Sequence, residues 1–122
     1  MGRFVVQRHD ASRLHWDFRL EMDGMLKSWA VPKKPPTMPG LRRLAVAVDD
    51  HNLDYIDFEG IIPEGEYGAG TVEIWDKGNF ELESRKPEKL VFELRGEKMK
   101  GRYTLVHFTE KAENWLLFKN KV

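Results

Sequence analysis

Residues 9–24 read HDASRLHWDFRLEMDG. From Leu14 onward the even positions are Leu14, Trp16, Phe18, Leu20 and Met22, and the odd ones are His15, Asp17, Arg19 and Glu21. Side chains along a strand alternate between faces. One face of this strand is apolar and fit for a core. The other carries an imidazole, two carboxylates and a guanidinium, where an ordinary solvated face would carry Lys, Thr and Ser. Asp23-Gly24 then separates this run from a second alternating one, the strongest short hairpin signal. A two-residue loop there pairs Met22 with Met25, Leu20 with Lys27, Phe18 with Trp29 and Trp16 with Val31. On the opposite face it pairs Arg19 with Ser28 and Asp17 with Ala30. Large apolar residues gather on one side, and small partners beside Asp17 and Arg19 leave room for a ligand.

The rest of the chain repeats the strand pattern. Residues 32–43, PKKPPTMPGLRR, hold four of the six prolines and no acid, and read as an extended basic loop. RLAVAVDDH predicts a strand with Leu44, Val46 and Val48 buried. Residues 52–70 are rich in glycine and acid and read as a long ordered loop. Further strands are expected at about 71–76, 79–84, 89–95, 102–108 and 114–119, with turns at DKGN and RGEKMKG. PEKLVFEL alternates at Leu90, Phe92 and Leu94, so no long helix is expected. Many short strands in a small chain predict an all-β fold, a closed or nearly closed barrel of about eight strands. Residues 1–8 read as a flexible N-terminal arm of a single domain over residues 1–122.

Composition narrows the chemistry. The 122 residues carry no net charge, so the whole-molecule charge names no partner. Residues 1–43 hold nine Lys/Arg against four Asp/Glu, and the remainder eleven against sixteen. The basic N-terminal third suits an anionic ligand. There is no cysteine, so any metal is held by nitrogen and oxygen. No apolar run approaches a membrane span, and the N-terminus does not read as a signal peptide. The cytoplasm is the expected compartment.

Three of the four histidines, His9, His15 and His51, lie in the first half. His15 and Asp17 share a strand face with Cα atoms about 7 Å apart, close enough to converge on one ion. With His9 they form a set of two imidazoles and one carboxylate, suited to manganese, iron or zinc and leaving coordination positions free. Arg19 on the same face, with Lys33 and Arg43, offers a phosphate both bidentate and point-charge contacts. A cation beside basic side chains is what phosphoryl chemistry requires. His51 reads as a further ligand, a phosphate donor, a general acid or a structural imidazole. Tyr55 can donate its hydroxyl to a phosphate oxygen. Lys34, Arg42 and His107 read as structural or solvated.

The segments FVVQRHDASRLHWDFRLEMDGMLKSWAVPKKP, RRLAVAVDDHNLDYIDFEGIIPEGEYGAGTVEIWDKG and KGRYTLVHF…NWLLFKNK together resemble the 3′-phosphoesterase domain of bacterial DNA ligase D and its stand-alone archaeal versions. The H-x5-H-x-D-x-R spacing, the DYIDFEGIIPEGEYGAG block and the NWLLFK strand carry the resemblance over nearly the whole chain. It implies a small β-barrel with the site on its concave face. The implied activity is removal of a 3′-terminal ribonucleotide by a phosphodiesterase step, then of the 3′-phosphate by a monoesterase step. Manganese is the implied cofactor, with zinc or cobalt as substitutes. DNA 3′ ends are the implied substrate, and ligase and polymerase proteins of an end-joining system the implied partners. By matching positions, His9, His15 and Asp17 are metal ligands. Arg19, His51 and Tyr55 are the catalytic, phosphate-contacting residues, and Lys33 and Arg43 are further phosphate contacts. Asp49 stands where relatives carry an acid, and Asp49 and Glu21 are expected to support the site from behind.

Two rivals remain at this point. His15, Asp17 and His51 also spell the two-histidine, one-carboxylate triad of iron(II) oxygenases, with His9 idle. A non-catalytic module binding nucleic-acid ends is the other.

Overall fold

Asp23 and Gly24 adopt φ of 57° and 75°, the left-handed pair that a two-residue type I′ hairpin loop requires. They join β2 (Leu14–Met22) to β3 (Met25–Val31). The pairs run Met22↔Met25, Leu20↔Lys27, Phe18↔Trp29 and Trp16↔Val31, with Arg19↔Ser28 and Asp17↔Ala30 between them, as the sequence predicts. The computed structural model describes residues 1–122. Around this hairpin stand β1 (Gly2–Asp10), β4 (Arg42–His51), β5 (Gly60–Ile62), β6 (Gly70–Lys86), β7 (Lys89–Arg95), β8 (Lys100–His107) and β9 (Asn114–Lys119), with one 3-10 helix over Leu53–Asp57. The antiparallel order is β1-β2-β3-β4-β9-β8-β7-β6, and a β1–β6 pairing closes it into an eight-strand barrel. Short β5 adds to the start of β6. No helix is long and apolar enough to cross a membrane.

Phe4, Val6, Phe18, Leu20, Trp29, Phe92, Leu94, Tyr103 and Leu117 fill the interior. Phe18 lies at its centre, stacked on Phe92 at 6.0 Å and tilted against Phe4 and Trp29. The interior takes the even residues of β2, so His15, Asp17 and Arg19 point out of the barrel wall. The site therefore lies on the outer surface of that wall. The segment after β4 folds over this surface and makes it a cleft. A second buried cluster, Val5, Leu26 and Ile56, seals the 3-10 helix against β1 and β3.

Four expectations are corrected. First, residues 1–8 are no arm: β1 pairs with β2 on one side and β6 on the other. Phe4, Val5, Val6 and Gln7 are wholly buried, which only a strand between two neighbours allows. Second, β4 buries Ala45 while Leu44 and Val48 are exposed. Ala45 pairs with Trp115 and Ala47 with Trp29, and these indoles meet edge-on at 6.1 Å inside the barrel. Only small residues fit beneath them, so the alanines take the core face. Third, DKGN is no turn: β6 runs through it, bending where the β1 register shifts around Trp75. Gly78 is needed because a Cβ there would lie 2.1 Å from the carbonyl oxygen of Arg95. Fourth, residues 52–70 are not all loop, since they contain the 3-10 helix and β5.

The RGEKMKG turn is held from within. Asp76, almost fully buried, accepts hydrogen bonds from the backbone N–H groups of Lys77, Glu97, Lys98 and Met99 at 2.8–3.0 Å. Asp76→Ala strips four donors of their acceptor. It is expected to lower unfolding free energy by about 3 kcal/mol, read as a lower urea midpoint, with Asp76→Asn intermediate.

Candidate functional site

β1 and β2 place His9 opposite His15, and Asp17 follows two residues on along the same face. The ligating atoms of His9, His15 and Asp17 all lie within 4.8 Å of one another. His9 Nδ1 is 3.4 Å from one Asp17 oxygen, and His15 Nε2 is 3.3 Å from the other. Each ring is held by its remaining nitrogen. His9 Nε2–H donates to the carbonyl of Gly68 at 2.6 Å, and His15 Nδ1–H donates to the carbonyl of Arg13 at 3.0 Å. A carbonyl fixes the tautomer and aims the bare nitrogen, as second-layer partners of metal-bound histidines do. Gly68, at φ 79°, has the backbone freedom needed to turn its carbonyl there. The set fits a divalent ion with nitrogen and oxygen ligands.

Arg19 lies one pleat further and is 3% exposed. Its Nε donates to Gln7 Oε1 and its Nη1 to Ser28 Oγ, both at 2.7 Å. Its Nη2 is 3.5 Å from Asp17. Gln7 in turn donates to the carbonyls of Tyr55 and Phe58. The guanidinium also sits 5.1 Å from the Tyr55 ring centre, within cation–π range. Tyr55 stacks between His51 at 4.5 Å and Phe58 at 4.9 Å.

His51 reaches this face through a bulge. β3 and β4 pair as Ser28↔Val48 and then Leu26↔His51, two residues against three. The extra residue reverses the parity of β4. Before it Ala45 and Ala47 face the core; after it His51 faces out beside Arg19. Together these residues line a cavity of about 660 Å³.

The structure brings His9, His15, Asp17, Arg19, His51 and Tyr55 to one cavity and sets Asp49 at its rim. It does not bring Lys33, Arg43 or Glu21 there. Arg43 precedes the bulge and pairs with buried Leu117, and its Nε donates to the carbonyl of Lys34. The proline-rich loop crosses an end of the barrel, where the Tyr103 hydroxyl donates to Pro36, and carries exposed Lys33 with it. Glu21 is on the expected face but too far along β2, and it binds the Arg3 side chain and N–H. An oxygenase triad through His51 does not form, because the third donor is His9. Gln7 and Gly68 escaped the sequence reading, which had Ser28 as the small partner of Arg19 but not as its hydrogen-bond acceptor. Gln7 was legible by counting back two from His9, once residues 1–8 are taken as a strand.

The charges are coupled. Burial works against ionisation of Asp17, but hydrogen bonding from His15 and the charge of Arg19 outweigh it and hold the carboxyl below its usual range. The Asp17 hydrogen bond raises His15 above the ordinary imidazole value. Burial, then Arg19, lowers His51. In the metal-free protein the Asp17 contribution to stability is lost as pH falls through its depressed value. The His15 contribution is complete below its unfolded value and lost as pH rises through its raised one. The pair therefore stabilises most between about pH 4 and pH 6.5. Asp17→Asn is expected to flatten this maximum and to bring the His15 titration down, read by 15N NMR of the imidazoles, with His51 titrating below His15 in the parent.

A family model described as the DNA Ligase D 3′-phosphoesterase domain matches residues 7–107. The chain is 53% identical over 126 residues to the multifunctional non-homologous end joining protein LigD of Pseudomonas aeruginosa, covering 98% of this chain and 15% of that protein. It is 47% identical over 130 residues to the protein of the same description from Mycolicibacterium smegmatis, covering 98% of this chain and 17% of that one. It is 44% identical over 122 residues to the multifunctional non-homologous end joining DNA repair protein LigD of Mycobacterium tuberculosis, covering 97% and 16%. The chain thus spans between 15% and 17% of the length of these relatives. The barrel, its outward-facing His–His–Asp set and these matches converge: the chain belongs to the DNA ligase D 3′-phosphoesterase domain family.

Proposed function

We propose that this domain is a divalent-metal-dependent phosphoesterase that heals DNA 3′ ends, removing a terminal ribonucleoside and then the 3′-phosphate to leave a 3′-hydroxyl. The observation that carries the reading is the His9–His15–Asp17 donor set with Arg19 held at its side. Manganese is the proposed ion, with zinc or cobalt as substitutes; when bound it supplies Lewis acidity toward a phosphoryl oxygen.

The chain's own residues do the rest. Arg19 is fixed by Gln7 and Ser28 before any substrate arrives, so its remaining N–H groups meet a phosphate oxygen without reorganisation. Tyr55 presents its hydroxyl from the ring that Arg19 and His51 flank. His51 is kept neutral by burial and by Arg19. A bound phosphate offsets the Arg19 charge that lowers His51, which favours the protonated imidazole, the form that can protonate the leaving oxygen. The relatives are named for non-homologous end joining, which supports DNA ends under repair as the substrate and ligase and polymerase proteins as working partners. The relatives are bacterial, which supports the cytoplasm, where their DNA lies, as the working compartment.

The test is a 5′-labelled primer–template ending in one ribonucleotide, incubated with metal-stripped protein with and without manganese, beside His15→Ala. Stepwise conversion to a 3′-phosphate and then a 3′-hydroxyl end is expected, dependent on metal and reduced at least about 100-fold in the variant. Tight binding without turnover under any divalent ion would replace this reading with an end-binding module.

A further inference from the structure

The two carbonyls that hold the metal-ligand rings belong to residues that line the same cavity. Arg13 O holds His15, and Arg13 is one of the residues that line the cavity. Gly68 O holds His9, and its chain neighbour Tyr67 also lines the cavity. Tyr67 is fully exposed. Its segment is nonetheless braced. Glu66 N–H donates to Pro63 O and Ala69 N–H to Glu66 O, and Gly65 and Gly68 take left-handed φ of 89° and 79°. An aromatic ring is thus presented to solvent on a fixed turn, joined by one peptide unit to a contact with the metal-ligand ring. Arg13 is the only Arg or Lys besides Arg19 among the lining residues. Asp17 is already engaged by His9, His15 and Arg19, which leaves the Arg13 guanidinium available to an external anion.

We propose that Tyr67 and Arg13 are the nucleotide-binding residues of this cavity, Tyr67 stacking on the base of the 3′-terminal nucleotide and Arg13 pairing with the adjoining backbone phosphate. The inference rests on the phosphoesterase reading for what enters the site, and adds how the end is gripped. A stacked ring holds any base, because every base has a π face. The grip is therefore tolerant of sequence but demands a base on the terminal sugar. Arg13 supplies a charge contact without base information.

Binding to metal-free protein tests this, read by fluorescence anisotropy with two single-stranded oligonucleotides ending in 3′-phosphate. One carries a normal terminal base and the other an abasic terminal sugar. The parent is expected to prefer the base-bearing end. Tyr67→Ala is expected to weaken that end about tenfold and the abasic end little, and Tyr67→Phe to bind as the parent does. Arg13→Gln is expected to weaken both ends alike and to reduce the salt slope of log K by about 0.7. Equal binding of the two ends by the parent, or unchanged binding by Tyr67→Ala, would overturn the stacking assignment; an unchanged salt slope in Arg13→Gln would overturn the phosphate contact. Should the grip be found but no metal produce turnover, the phosphoesterase reading fails and the grip stands.

Discussion

A guanidinium buried to 3% exposure organises this protein. Removing such an ion from water is costly, and it persists where an opposite charge and hydrogen bonds compensate it. Arg19 is met by Gln7 from β1, Ser28 from β3, Asp17 from its own strand and the Tyr55 ring from the 3-10 helix. Four elements are tied to one charge, and each tie serves the site as well. Gln7 also caps the carbonyls of Tyr55 and Phe58, which pins the stack that carries His51. Asp17 is kept ionised partly by Arg19, so the carboxylate and the guanidinium sustain one another. The arrangement stands complete without substrate, which is the condition for electrostatic stabilisation to act without rearrangement.

Strand periodicity made much of this readable from the sequence. The hairpin register, the apolar and chemical faces of β2 and the shared face of His15, Asp17 and Arg19 all follow from a period of two and an Asp-Gly loop, while His9 joins them through the β1–β2 pairing. Failures arose where that period breaks or where a glycine serves a purpose other than a turn. Gly78 admits a close carbonyl rather than a reversal, so β6 was divided in two. Ala45 and Ala47 lie inside because Trp29 and Trp115 need the space, a relation between distant residues that local hydrophobicity inverts. Lys33, Arg43 and Glu21 carry the right chemistry on backbone that leads elsewhere.

Two backbone carbonyls help to shape the His9–His15–Asp17 set, and they were not legible at all. Gly68 and Arg13 fix the two imidazole tautomers, yet a carbonyl is common to all residue types and leaves no compositional trace. The glycine-rich block was visible as a loop. Its purpose, bringing one oxygen within 2.6 Å of His9, appears only when the barrel is closed and β1 lies beside the start of β6.

The single extra residue in β4 has a wider consequence. A strand of strict alternation answers to one core; this one turns its odd residues to the core up to Ala47 and to the cavity at His51. Its tolerance to substitution should therefore change phase partway along, with odd positions restricted by volume before the irregularity and by chemistry after it. A length change of one residue there would reverse the side of the barrel wall to which His51 points. At this point of the chain the count of residues sets which way His51 faces.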